Sequence, residues 1–155
     1  MNNPLDIIKR HFEYLIREYN FQIISEKFSP QIMGNTYITY CSASIGVRVT
    51  IDRSQVLINI GDILDSTKEW FDFSDVITFF NSSIENPYIF IEKTYKNKEE
   101  DIIEPQVERL ASLLHQNCDA MLKGELRMKE KIKDIEKKRI AELLVKFNKR
   151  SSRTG

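Results

Sequence analysis

The sequence predicts an α+β fold: a four-stranded antiparallel meander over about 21–61, packed by an N-terminal helix and a long helix over about 102–123, with an extended charged C-terminal helix. Two observations carry this. The apolar period is three to four residues up to Tyr19 and changes to two from Phe21 to Gly61. After residue 100 the helical period returns, and the charge changes sign along the chain.

In the first segment Leu5, Ile8, Phe12, Leu15 and Tyr19 recur at helical spacing with charged residues between them. Asn3 is placed to cap that helix, Pro4 suits its first position, Asp6 complements its dipole, and Asn20 can take the left-handed conformation that stops it.

Four runs follow, at 21–28, 35–41, 44–52 and 55–61. Ile45, Val47, Val49 and Ile51 share one face, Gly46, Arg48 and Thr50 the other, and Val56, Ile58 and Ile60 answer from the next strand. Asp52, Arg53 and Ser54 form the turn between them, Ser42 to Ser44 is short enough for a tight hairpin, and Pro30 and Gly34 bracket the first break.

A short helix is predicted over 70–81, with Asp72 as its cap and Phe71 and Val76 as a hydrophobic staple. Residues 82–100, with Pro87 and a charged run, read as a loop with a strand near 88–92. Ile103, Val107, Leu110, Leu114, Cys118 and Met121 then make one apolar stripe that should cover the sheet. Gly124 is a C-cap or kink, and a helix over 126–147 carries Met128, Ile132, Ile135, Ile140, Leu144 and Phe147. The expected organisation is a globular domain over 1–124, a charged helical tail over 125–150 and disorder over 151–155.

At 155 residues, 41% apolar and 30% charged, the chain has the size and composition of one globular domain. It holds 21 isoleucines against 5 glycines, which favours packed β-branched cores over flexible loops. MNNPLDIIKR has no secretory pattern and no window is apolar enough to span a bilayer, so a cytoplasmic location and no membrane association are expected. Cys41 and Cys118 are too few for a disulfide framework and read as reduced, buried thiols.

Catalytic and cofactor patterns are scarce. His115 and Cys118 supply two ligands where a zinc site takes three or four, and they read as a helix-surface histidine beside a core thiol. No serine sits in a Gly-x-Ser-x-Gly elbow, and five dispersed glycines cannot build a phosphate cradle. Neither catalysis, a cofactor nor a bound metal is expected.

Charge gives the best pointer to a partner. Residues 1–124 carry 12 basic and 18 acidic side chains, residues 125–155 carry 11 and 5, so a domain of −6 precedes a tail of +6 and the two should attract. Asp62, Asp65, Glu69, Trp70, Asp72 and Asp75 form an acidic run with an aromatic anchor, a candidate surface for a basic protein. Asp72 and Asp75 also fit a capping role, and Trp70 a core one. In the tail Arg127, Lys129, Lys131, Lys133, Lys137, Lys138 and Arg139 interleave with Glu125, Glu130, Asp134, Glu136 and Glu142. Mixed charge without interleaved aromatics reads as a solvated face rather than a nucleic-acid surface, and the apolar stripe suits helix pairing on its own domain or in a homodimer.

The stretches FEYLIREYNF, SIGVRVTIDRSQVLINIGD and WFDFSDVITFF resemble small bacterial α+β domains of the immunity-protein type that accompany polymorphic toxins, over roughly residues 10–122. The basic tail is not part of that pattern. The resemblance implies a non-enzymatic protein that neutralises a toxin by binding it, without a cofactor. The alternative function is a nucleic-acid-associated accessory protein acting through the basic C-terminal helix.

Overall fold

The computed structural model describes residues 3–29, 36–63, 69–84, 86–89, 91, 99–124 and 129–152. The chain opens with α1 (Pro4–His11) and α2 (Glu13–Tyr19), one predicted helix bent where Phe12 leaves helical geometry at φ −101°, ψ 12°. The ends follow the expected chemistry: Asn3 Oδ1 accepts from Leu5 N–H at 2.9 Å, and Asn20 stops α2 at φ 58°.

Strands β1 (Gln22–Lys27), β2 (Thr36–Cys41), β3 (Ile45–Asp52), β4 (Gln55–Asp62) and β5 (Trp70–Asp72) pair antiparallel in sequence order. The sheet thus has five strands where the sequence predicts four. The fifth occupies residues assigned to the start of a helix, because pairing of Phe71 with Ile60 keeps 70–72 extended and Asp72 caps α3 (Phe73–Phe80) only afterwards. The predicted strand near 88–92 does not form at Tyr88, Ile89 or Ile91, its residues among those described. Pro30 and Gly34 lie outside the described residues.

Register puts Ile38, Val49 and Ile58 in one row and Tyr40, Val47, Ile60 and Phe71 in another, all buried on the face that meets the helices. Over that face lie α1, α3 and α4 (Glu99–Asn117), with Ile103, Val107, Leu110 and Leu114 of α4 buried in the same core. The predicted stripe past Leu114 is broken: Cys118 at φ −118°, ψ 27° separates α4 from the short α5 (Asp119–Leu122), yet both Cys118 and Met121 remain buried. Gly124 follows at φ 101°, the left-handed position expected after a helix end. The last element, α6 (Lys129–Ser152), packs against α3 and continues through Ser151 and Ser152; residues 153–155 lie outside the described residues.

Because β5 is only three residues long, β4 would leave backbone groups unpaired where β5 stops. Side chains close them. Val56 N–H donates to Gln106 Oε1 at 3.0 Å, and Gln106 Nε2 donates to Ser54 O at 2.8 Å, while Ile58 N–H points at the Tyr88 hydroxyl at 3.4 Å.

The β3–β4 hairpin pairs Asp52 with Gln55 around Arg53 (φ 50°) and Ser54 (φ 68°), both in left-handed geometry without a glycine or asparagine. Replacing Arg53→Asn together with Ser54→Gly should raise stability by about 1 kcal/mol, measured as a shift of the denaturant midpoint at unchanged slope.

Candidate functional site

Three carboxylates of the acidic run predicted as a partner surface, Asp62, Glu69 and Asp75, meet α6. Helix α6 enters with Ile132 fully buried in the core, and three of its cations face those three carboxylates. Lys129 Nζ lies 3.9 Å from Asp62, Lys133 Nζ 3.1 Å from Glu69, and Arg139 grips Asp75 with Nε–Oδ1 at 2.7 Å and Nη2–Oδ2 at 2.9 Å. Around the helix the three positions span an arc of about 120° that includes Ile132, so the side of α6 turned to the body makes them all.

The Asp75–Arg139 pair is the strongest of the three. Asp75 is 1% exposed, at the first turn of α3, and a buried carboxylate requires a compensating cation. A bidentate guanidinium supplies both charge and geometry. Hydrogen bonding to Asp75 holds the Arg139 guanidinium above its ordinary value, and Glu69 does the same for the Lys133 ammonium.

The other predicted positions divide. Asp72 accepts from Ser74 N–H at 2.7 Å and from the Ser74 hydroxyl at 2.6 Å, the expected cap, and lies 3.2 Å from the Tyr88 hydroxyl. Trp70 lies on the face of the sheet turned away from the helices, its indole spread over Gly46 and Gly61. Asp65 lies outside the described residues, as does Arg127.

Beyond Arg139 the helix leaves the body. Every described side chain from Ile140 to Ser151 is exposed, including Ile140 at 44%, Leu143 at 54%, Leu144 at 57% and Phe147 at 68%. Their spacing of three, four and seven residues puts these four on one stripe. The sequence showed Ile140, Leu144 and Phe147 of this stripe and assigned it to helix pairing, on its own domain or in a homodimer; the body ends before the helix does.

The groups weighed for chemistry are used structurally. His115 Nε2 lies 2.7 Å from Glu18, and its ring stacks on Tyr14 with centroids 4.1 Å apart and planes at 9°. Burial pushes the Cys118 thiol up to about 12, away from thiolate chemistry, and burial also raises Cys41. Among the described residues no group of three or more His, Cys, Asp or Glu is arranged to hold a metal ion, and no helix is long and apolar enough to cross a membrane. His11 lies 3.1 Å from Glu104, which also pairs with Arg10 and so ties α1 to α4.

No family model, no curated protein and no solved structure matches this chain.

Arg139→Met removes the partner of a buried charge while keeping the length of the side chain. It should cost about 2–4 kcal/mol, and Asp75→Asn on that background should restore part of the loss, as a double-mutant cycle by chemical denaturation would show. Glu104 is held below its ordinary value of 4.5, first by the hydrogen bond from His11 and then by Arg10. A depressed carboxylate stabilises above its unfolded value and loses that contribution as the pH falls through the folded one. Glu104→Gln should therefore flatten the fall in melting temperature below pH 4.5.

Proposed function

We propose that this chain is a non-enzymatic protein-binding domain whose recognition element is the outer half of α6. The observation that carries the reading is the stripe Ile140, Leu143, Leu144 and Phe147, exposed on a helix whose inner half is pinned to the body. Apolar residues at helical spacing are how an amphipathic helix fills a hydrophobic groove. Anchoring by Ile132 and Arg139 fixes the direction in which the outer half points, which lowers the ordering cost of binding.

This reading reassigns the acidic run. Asp62, Glu69 and Asp75 support α6 from beneath, so the domain meets a partner with the helix rather than with the carboxylates. The narrower form is an immunity protein that neutralises a toxin domain by direct binding; it rests on the sequence resemblance alone, and the stripe is the surface proposed for that contact. The nucleic-acid alternative is weakened, because Lys129, Lys133 and Arg139 are turned onto the body's own acidic groups. A homodimer through α6 is the self-association form of the same stripe.

A photo-crosslinking side chain at Leu144 of the full-length protein in its native cells tests the reading. One stoichiometric adduct that is lost in Leu143→Asp, with the melting temperature unchanged, is expected. An adduct of twice the chain mass assigns the stripe to self-association. Absence of any adduct, or one indifferent to Leu143→Asp, overturns the reading.

A further inference from the structure

The face of the sheet turned away from the helices carries a second feature, independent of α6. Register aligns Cys41, Gly46, Gly61 and Trp70 in one row and Thr39, Arg48, Asn59 and Asp72 in the next. Gly46 and Gly61 are opposed because the Trp70 indole lies flat on both: a Cβ at Gly46 would stand 2.7 Å from the ring, and one at Gly61 2.9 Å. The indole is thereby fixed as a wall. Against it, the Arg48 guanidinium carbon sits 4.5 Å from the Trp70 ring centroid and 5.9 Å from that of Tyr37, and Arg48 Nε donates to Thr39 Oγ1 at 3.1 Å.

These contacts orient the guanidinium but leave its two terminal amino groups unused: among the described residues neither Nη makes a hydrogen bond or an ion pair. Arg10, Arg17 and Arg139, by contrast, each meet a carboxylate. The carboxylate in the Arg48 row, Asp72, is taken up by Ser74 and Tyr88. Asn59, between Arg48 and Asp72, also keeps its side-chain amide without a hydrogen bond among the described residues. Arg48 is only partly exposed, so the cation has lost part of its hydration without gaining a counter-charge.

We propose that Arg48, with Trp70 and Tyr37 as aromatic walls and Asn59 as a neighbouring donor, forms a receptor for an oxyanion, a carboxylate or a phosphate group. A guanidinium stacked on an aromatic ring presents its N–H edge in the fork that both anions accept bidentately. The amide of Asn59 adds a neutral donor beside that fork.

The chain has one tryptophan, so a nitrogen-15 spectrum shows a single indole resonance that reports on this place alone. The full-length protein is titrated with sodium acetate and, separately, with sodium phosphate, against sodium chloride at matched ionic strength. The indole and Arg48 Nε–H resonances should shift saturably in acetate or phosphate and not in chloride. Arg48→Gln should abolish the saturable shift, and Arg48→Lys, which keeps the charge and loses the fork, should weaken it at least several-fold, both with backbone dispersion retained. Saturation in acetate alone assigns a carboxylate ligand, and in phosphate alone a phosphate. Equal drift in all three salts, or a saturable shift that survives Arg48→Gln, overturns the proposal.

Discussion

One buried carboxylate organises much of the molecule. Asp75 stands at the start of α3 with 1% of its surface exposed, and an ionised group there is tolerable only if a cation reaches it. Arg139 is that cation, and its place on α6 is ten residues from Lys129, where the helix begins. Satisfying Asp75 therefore fixes how far α6 slides along the body, brings Lys133 onto Glu69, and determines which residues are left over as the projecting half. Ile132 adds burial, but burial is non-directional. The fork of two hydrogen bonds sets register as well as affinity.

The sheet solves a related problem on its other side. A three-residue strand cannot protect the whole edge of β4, and Gln106 and Tyr88 reach in from distant parts of the chain to meet Val56 and Ile58. Trp70, on that same short strand, covers the facing glycines of β3 and β4. The part of the β4 edge that β5 does not cover is thus closed by side chains rather than by backbone.

Local chemistry was legible in the sequence where one segment decides it. Asn3, Asn20 and Asp72 act at the helix ends as their types and positions predict, and the alternation of Ile45 to Ile60 places the core face correctly. Features that depend on tertiary pairing were not legible. Strand β5 is too short to display a period of two, and Phe71, read as a helix staple, is extended because Ile60 is its neighbour. The opposition of Gly46 and Gly61 appears only once the register is known. The acidic run was read from its composition as a docking surface for a basic partner; that Asp62, Glu69 and Asp75 instead face cations of the same chain depends on the path after Gly124. The opposite charges of domain and tail already pointed to the answer.

The overhang of α6 also sets a length scale. From Ile140 to Ser152 the helix rises about 18 Å, roughly three turns. Phe147 stands about 12 Å along the axis from Arg139, so the far end of the exposed stripe is held well clear of the body. The outer half is in this sense a lever of about three turns, held at its base where Arg139 meets Asp75.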